Sequence, residues 1–393
     1  MSIQLTRRQL LGSSTAIVGT SLLQACTTPS SSPSPTTATS PQPSQIMPTH
    51  SRHNPNSSET VLRIIASSGF GGDYSRNETA FSRLHHAGFT VTNQQAAYRR
   101  HQRFAGTDAE RITDFQDIVQ SRTSMPKVIM AYRGGYGAQR LLPHIDFASL
   151  GAKMREHGTL FFGFSDVCAL QLALLAKGKM LSFAGPMVYS EFGKPQPSTY
   201  TMNSFIQGTT NPQNTITVST IQRSDVNTDG ILWGGNLSVL AALSGSPYLP
   251  DIKGGILFLE DVGEQPYRIE RMLQTLLLAG ILQKQKAIVM GDFRMSGIRD
   301  VYDSSYDFST VAHTISRAAK IPVLSGFPFG HISNKATFPL GAHAAIRSTS
   351  DGGYSITFNH YPTLNKTALN LDFLLPQSDA ATIENNISEE KEP

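Results

Sequence analysis

The stretch of residues 161–175, FFGFSDVCALQLALL, passes from a short apolar run into a longer apolar run of helical length. The first run predicts a buried β-strand, and the second, from Val167 to Leu175, predicts a mostly buried helix. Ser165 lies between the two, on a strand-to-helix turn. Units in which a strand leads directly into a helix build α/β folds with largely parallel sheets.

The same alternation of apolar strands and amphipathic helices continues on both sides of this stretch. Thr107 and Glu110 form a capping box ahead of apolar residues at helical spacing, which predicts that a helix begins there. Apolar runs predict strands at residues 61–66, 127–132, 159–164, 255–259, 287–290 and 322–324, and helical spacing predicts further helices at 77–87 and 267–282.

This pattern predicts a two-domain α/β protein. Residues 61–192 would form an N-terminal domain with a mostly parallel sheet that carries the Ser165 turn. Residues 216–376 would form a smaller C-terminal α/β domain. The Pro-, Ser- and Thr-rich stretch 193–215 would be an irregular linker between them.

The two ends of the chain lie outside this predicted core. Residues 1–26 combine Arg7-Arg8, an apolar stretch too short to span a membrane as a mature helix, and a cysteine preceded by Leu-Gln-Ala. This pattern resembles a lipoprotein signal peptide, in which Cys26 would take the lipid. Residues 27–60, rich in Ser, Thr and Pro, would be an extended tether, and residues 377–393 a disordered tail.

The signal resemblance predicts a location in the cell envelope, as a periplasmic lipoprotein anchored to a membrane through Cys26. The alternative is a buried apolar helix that ends in an ordinary cysteine, which Gly12 and Gly19 disfavour. A disulfide between lipidated Cys26 and Cys168, the other cysteine, is not expected.

The charge balance argues against one class of partner. The chain has 33 Lys and Arg against 29 Asp and Glu, and Arg7 and Arg8 belong to the segment expected to be removed. A nucleic-acid groove requires a concentrated basic face. We therefore expect no nucleic-acid partner.

Ser165 is the first candidate for chemistry. Its turn would push the hydroxyl out of the sheet, beside free backbone N–H groups at the start of a helix. Val167 stands where the hydrolase elbow G-x-S-x-G has its second glycine, so the match to that motif is incomplete. A serine at a helix start is more often an N-cap than a nucleophile, and that alternative stays open.

The glycine loop, Arg133-Gly134-Gly135-Tyr136-Gly137, follows another predicted strand. Paired glycines allow the backbone to approach a ligand closely or to adopt positive φ. A phosphate loop is one alternative, but the lysine-plus-hydroxyl pair of a P-loop is missing and the glycine spacing is not G-x-G-x-x-G. An ordinary tight turn is the other alternative.

Glu260 and His331 both follow predicted strands, on the side of a sheet where α/β proteins build their sites. From spacing alone, Glu260 and its neighbour Asp261 could equally cap the helix that begins near Tyr267. A lone histidine is usually a surface or core residue, but His331 could serve as a base if the fold brings it to Ser165.

Several motifs taken together resemble the serine LD-carboxypeptidases, the muramoyltetrapeptide carboxypeptidase family. The similarity spans about residues 62 to 375 and rests on the joint occurrence and order of the motifs. They are Arg103-Phe104-Ala105-Gly106-Thr107-Asp108, the glycine loop, Gly163-Phe164-Ser165-Asp166, Gly185-Pro186-Met187, Gly235-Asn236-Leu237, Leu259-Glu260-Asp261-Val262-Gly263-Glu264 and Gly330-His331.

The resemblance implies roles for individual residues. Ser165 would be the nucleophile, His331 the base and Glu260 the acid that orients it. The oxyanion and substrate-binding donors would be backbone N–H groups of Asp166 and Gly135. The reaction would release the terminal D-alanine of murein tetrapeptides through an acyl-enzyme.

No metal or other cofactor is expected, because the sequence has no H-E-x-x-H motif or Cys/His cluster. The partner would be a murein peptide, whose free carboxylate could pair with Arg133, Arg268 or Arg271. A homodimer is one option for the assembly.

Two other functions remain open. A relative of the microcin-immunity peptidases would cleave aminoacyl-nucleotide conjugates instead of murein. A solute-binding lipoprotein would collect small ligands without chemistry, although all three residues of a catalytic triad are present.

Overall fold

The computed structural model describes residues 59–219 and 225–376. The predicted signal peptide with Cys26, the tether up to residue 58 and the tail from residue 377 lie outside the described residues. The predicted α/β class is confirmed: strands and helices alternate, and the strands form two sheets.

The strands are β1 (Thr60–Ile65), β2 (Phe89–Thr92), β3 (Val128–Ala131), β4 (Leu160–Gly163), β5 (Ser182–Ala184), β6 (Gln213–Val218), β7 (Thr228–Asn236), β8 (Ile256–Glu260), β9 (Ala287–Met290), β10 (Val323–Leu324), β11 (Phe338–Leu340), β12 (Ala342–Ser348) and β13 (Tyr354–Asn359). The α-helices are α1 (Tyr74–His86), α2 (Asp108–Val119), α3 (Phe147–His157), α4 (Cys168–Gly178), α5 (Thr199–Thr210), α6 (Leu237–Ala242), α7 (Pro266–Leu278) and α8 (Phe308–Ala319).

The first sheet has the order β11-β5-β4-β3-β1-β2. Its neighbours pair in parallel except at β11, which runs antiparallel to β5. Strands β3 and β4 are buried along their whole length, as expected of parallel strands covered by helices on both faces. This sheet is the mostly parallel one that the sequence predicted.

The second sheet has the order β10-β9-β8-β7-β12-β13-β6 and is mixed. The pairs from β10 to β7 are parallel, and those from β7 through β12 and β13 to β6 are antiparallel. Helix α7 covers it with buried Ile269, Leu273 and Leu276, the apolar face that helical spacing predicted. Glu260 is the last residue of β8, in the parallel half.

One of the segments that connect the two sheets contains His331. Strand β10 belongs to the second sheet, whereas β11 belongs to the first sheet and pairs with β5. The histidine loop, residues 325–337, runs between them. Because β5 is the neighbour of β4, this loop reaches the sheet that carries Ser165.

The stretch 193–215 is not irregular throughout, so that part of the linker interpretation is wrong. Ser198 caps helix α5 by accepting a hydrogen bond from the Thr201 N–H at 3.1 Å. The helix buries Met202, Phe205 and Ile206. These apolar residues outweigh the low helix propensity of the Ser, Thr and Gly around them. The proposed domain limits stay a prediction.

None of the helices in the described ranges is long and apolar enough to cross a bilayer.

Candidate active site

Ser165 occupies a strained turn at the end of β4. Its φ of 60° lies in the left-handed region, which costs a non-glycine residue about 1–3 kcal/mol. One short 3-10 turn, Ser165–Val167, then leads into α4. The position before α4 is Val167, without a side-chain cap, so Ser165 is not the N-cap of that helix. The left-handed backbone conformation therefore orients the Ser165 side chain and does not cap the helix.

The glycine loop packs directly against Ser165. A Cβ added to Gly134 would lie 2.8 Å from the Ser165 Oγ, closer than real Cβ contacts. Gly135 has a φ of 111°, and the Gly134 carbonyl accepts a hydrogen bond from the Gly69 N–H at 3.0 Å. The structure thus brings the loop that contains the predicted donor Gly135 to the predicted nucleophile.

The Asp166 side chain holds the same loop, a role that the sequence did not suggest. Its Oδ2 accepts a hydrogen bond from the Ala138 N–H at 2.8 Å, just beyond the loop. Burial raises the pKa of Asp166, and the hydrogen bonds from Ser68 and from the Ala138 and Gly137 N–H groups oppose that rise. The Asp166 side chain therefore fixes the glycine loop against the Ser165 turn.

Glu260 and His331 form a hydrogen-bonded pair. The His331 Nδ1 lies 2.9 Å from the Glu260 Oε2, and the Glu260 side chain is 1% exposed. A carboxylate can only accept, so Nδ1 carries the proton in this contact and the neutral ring leaves its lone pair on Nε2. Glu260 does not cap α7, whose N-cap is Gln265. The capping alternative for Glu260 is therefore wrong.

The ring of Phe164, the residue before Ser165, contacts the ring of His331. Phe164 precedes Ser165, and its ring centroid lies 5.3 Å from that of His331 in an edge-to-face arrangement. The same ring lies 5.6 Å from Phe329. The ring that directly precedes Ser165 in the chain therefore contacts the histidine that pairs with Glu260, and the three candidate residues come from three separate elements.

Asn236 and Asp261 extend the pair into a polar network that the sequence analysis did not assign. The Asn236 amide donates to the Glu260 Oε1 at 3.2 Å and to the Asp261 Oδ1 at 3.3 Å. Asp261 also accepts from the N–H groups of Ser238 and Val262, each at 2.9 Å. Burial, followed by the charge of Glu260, raises the pKa of Asp261 to about 6. The sequence did contain a signal for this network. Asn236 ends β7 and Asp261 follows β8, and these two strands are parallel neighbours in the sheet.

A buried ion pair holds the histidine loop. The Lys335 Nζ lies 2.6 Å from the Glu191 Oε1, and both side chains are at most 5% exposed. The Glu191 Oε2 accepts from the Met187 N–H at 2.8 Å, and the Lys335 Nζ lies 4.8 Å from the centre of the Phe164 ring. Lys335 thus links the histidine loop to the helical turn Val188–Phe192 and to the ring of Phe164.

The three candidate arginines occupy different surroundings. Arg133 belongs to the glycine loop and donates to the Phe70 carbonyl at 2.7 Å. Arg268 pairs with Glu264 at 3.3 Å on α7, and Arg271 lies 5.9 Å from the Tyr267 ring. Only Arg133 among these three belongs to the loop that contacts Ser165. Across residues 59–219 and 225–376, no group of His, Cys, Asp and Glu side chains has a metal-binding arrangement.

Comparison with known proteins identifies the family. The family model "LD-carboxypeptidase N-terminal domain" matches residues 62–185, and "LD-carboxypeptidase C-terminal domain" matches residues 229–346. The chain is 30% identical over 279 residues to the probable murein peptide carboxypeptidase of Bacillus subtilis, a match that covers 70% of this chain and 85% of that protein. The chain belongs to the LD-carboxypeptidase family.

The solved structures agree with this LD-carboxypeptidase assignment. The muramoyltetrapeptide carboxypeptidase from Oxalobacter formigenes superposes with a TM-score of 0.70 at 39% identity, over 77% of this chain and 100% of that one. The chain is therefore an enzyme, a serine-type carboxypeptidase of this family.

The family also contains proteins with another named role. The microcin C7 self-immunity protein MccF of Escherichia coli is 28% identical over 274 residues, covering 62% of this chain and 76% of that protein. Its solved wild-type structure, at 24% identity and a TM-score of 0.66, shares the fold.

Proposed function

We propose that this LD-carboxypeptidase releases the terminal D-alanine of murein tetrapeptides through Ser165, His331 and Glu260. The observation that carries the proposal is the 2.9 Å contact between the His331 Nδ1 and a Glu260 carboxylate that is 1% exposed. A buried carboxylate on Nδ1 fixes the tautomer of the ring and favours its protonated form. The strained Ser165 turn, joined to His331 through Phe164, supplies the nucleophile.

In the proposed mechanism, the His331 Nε2 accepts the Ser165 proton as Oγ attacks the carbonyl between the L-centre of the diamino acid and D-alanine. Backbone N–H groups of Asp166 and Gly135 stabilise the oxyanion of the tetrahedral intermediate. The intermediate collapses when the C–N bond breaks and the imidazolium protonates the leaving amine. His331 then deprotonates a water that hydrolyses the Ser165 ester and restores the hydroxyl.

We further propose that the enzyme acts in the cell envelope, tethered by a lipid on Cys26. The support is the signal-like pattern of residues 1–26 and the Ser/Thr/Pro-rich composition of residues 27–60. The substrate would then be periplasmic muropeptides or the sacculus itself.

A second candidate function is cleavage of aminoacyl-nucleotide conjugates, which the similarity to MccF favours. One experiment separates the two. The full-length chain is incubated with a defined murein tetrapeptide and, separately, with an aminoacyl-nucleotide conjugate. The products are identified by mass spectrometry. The proposal predicts tripeptide plus D-alanine from the first and no cleavage of the second. Cleavage of the conjugate alone would contradict it.

A further inference from the structure

The loop that contacts Ser165 is connected by backbone hydrogen bonds to an arginine-rich turn. Next to the Gly69–Gly134 bond, the Ala105 N–H donates to the Ser68 carbonyl at 3.0 Å. An isolated antiparallel bridge pairs Gly69 with Phe104. Three segments, residues 133–137, 67–70 and 99–106, thus form one connected layer beside the nucleophile.

The turn itself is closed at both ends. The His101 N–H donates to the Phe104 carbonyl and the Phe104 N–H donates back to the His101 carbonyl, each at 2.9 Å. Gln102, inside this turn, has a φ of 53°, a left-handed conformation that a non-glycine residue keeps only when its surroundings enforce it. The turn is therefore a fixed platform for Arg103.

Two arginines of this layer lie over aromatic rings of the same layer. The Arg103 guanidinium is 5.5 Å from the centre of the Tyr136 ring, and the Arg100 guanidinium is 4.2 Å from that of Phe70. Tyr136 is 45% exposed and stands two residues after Gly134, which contacts Ser165. Both arginines are exposed and belong to the layer that is bonded to the glycine loop; we call this exposed part of the layer the rim of the candidate active site.

Neither arginine is neutralised. Within the described part of the chain, the side chains of Arg100 and Arg103 form no ion pair and donate no hydrogen bond. The acids nearby are engaged elsewhere: Asp114 pairs with Arg99 at 2.7 Å, and Asp108 pairs with both Arg111 and Arg140. Two guanidinium groups thus stand without a counter-charge beside the nucleophile's loop.

We propose that Arg100 and Arg103 form an anion subsite for a carboxylate on the stem of the peptide substrate, upstream of the bond that is cleaved. This inference rests on the proposed murein-peptide function, because such stems carry acidic groups besides the terminal one. Guanidinium groups match carboxylates in geometry, and stacking on a ring reduces the rotamer freedom that binding would otherwise remove.

The burial of Ser165 indicates that the arginines bind a carboxylate of the stem and not that of the leaving D-alanine. Ser165 is 7% exposed, so the residue released next to it is enclosed, whereas the longer stem must extend outward past the exposed rim where Arg100 and Arg103 lie. The subsite is distinct from Arg133, whose guanidinium bonds to the Phe70 carbonyl within the layer.

The test measures binding separately from turnover. In full-length chains carrying Ser165→Ala, the dissociation constant is measured by calorimetry for two tetrapeptides, one with its stem carboxylates free and one with them amidated. Arg100→Gln and Arg103→Gln are compared with Arg122→Gln. Arg122 is a matched control, because its side chain is 58% exposed and pairs with Asp117 just after the far end of α2.

Each of the two subsite variants should weaken binding of the acidic peptide about tenfold, the loss expected for a charge-assisted contact. Binding of the amidated peptide should stay at its unsubstituted value, and Arg122→Gln should change neither. An equal loss for both peptides, or no loss for either, would overturn the subsite. So would loss of binding to phosphatidylglycerol vesicles in the two variants with unchanged peptide binding, since that result assigns the arginines to a membrane surface.

The outcome also separates this inference from the proposed function. If the unsubstituted chain released no D-alanine from either peptide, the proposed reaction would fall. The difference in affinity between the acidic and the amidated peptide would still show whether Arg100 and Arg103 bind a carboxylate.

Discussion

Glu260 has partners on both oxygens, which is what a buried carboxylate requires to remain charged. His331 bonds to Oε2 and the Asn236 amide bonds to Oε1. Asp261 is the neighbouring acid on the same amide, so two buried carboxylates share one donor residue. The proximity of Glu260 raises the pKa of Asp261, in addition to the effect of burial.

The first prediction follows from the raised pKa of Asp261, about 6. Between about pH 4, where an unfolded aspartate ionises, and pH 6, the folded state holds a proton that the unfolded state has lost. The contribution of Asp261 to the free energy of unfolding should therefore fall as the pH rises through this window. Asp261→Asn removes the titration, so its stability relative to the unsubstituted chain should improve by up to about 3 kcal/mol between pH 4 and pH 7.

Urea unfolding of both chains at several pH values measures this difference. Asp251→Asn is the control, because Asp251 is exposed and its pKa is lowered by Lys284, so no such improvement is expected. A constant stability difference between Asp261→Asn and the unsubstituted chain across the window would show that Asp261 is not protonated in the fold.

The glycine loop and the Ser165 turn are packed so closely that a methyl group added to Gly134 would push them apart. Our second prediction is that Gly134→Ala lowers kcat about a hundredfold, because an added Cβ 2.8 Å from the Ser165 Oγ must displace the nucleophile or the loop. Gly72→Ala is the matched control, since a Cβ there meets no atom within 4 Å. Equal turnover in the two variants would show that the glycine loop does not pack closely against Ser165.

The third prediction concerns the ion pair that anchors the histidine loop. Lys335→Met leaves the buried Glu191 carboxylate without its cation and should lower the free energy of unfolding by about 3–5 kcal/mol. The double variant Lys335→Met/Glu191→Gln removes both charges and keeps an acceptor for the Met187 N–H, so it should regain most of that loss. Urea unfolding measures both, and a single variant as stable as the double one would contradict the pairing.

The elements that sequence reasoning found are those whose signal is local. The strand-to-helix turn at Ser165, the capping box at Thr107 and the apolar face of α7 all appear as predicted. The pairing of β11 with β5 was not predictable, because three residues at the end of the histidine loop join a sheet built far earlier in the chain.

The same limit applies to the site. Glu260 and His331 were candidates because each follows a predicted strand. Their contact was not predictable, because the two residues are 71 positions apart in the chain and only the fold brings them together. Helix α5 was missed because its Ser, Thr and Gly content favours turns, and burial of its apolar face decides otherwise.

At the scale of the whole molecule, the described residues form a complete family fold, and the proposed anchor precedes it in the chain. Our fourth prediction is that Cys26→Ser moves the protein from the membrane fraction to the soluble fraction while kcat and KM on a tetrapeptide stay unchanged. The physical reason is that residues 27–60 separate the lipid from the catalytic fold. Fractionation with labelled fatty acid measures it, and an unsubstituted chain without label would contradict the anchor.

The attack of Ser165 on the peptide is tested by measuring D-alanine release from a defined tetrapeptide by the full-length chain and by Ser165→Ala. We expect the alanine variant to keep its fold, because Ser165 is not the N-cap of α4, and to lose essentially all release, because the attacking hydroxyl has been removed. Folding is checked by circular dichroism on the same samples. Release of D-alanine by a folded Ser165→Ala chain at the rate of the unsubstituted enzyme would show that Ser165 is not the nucleophile.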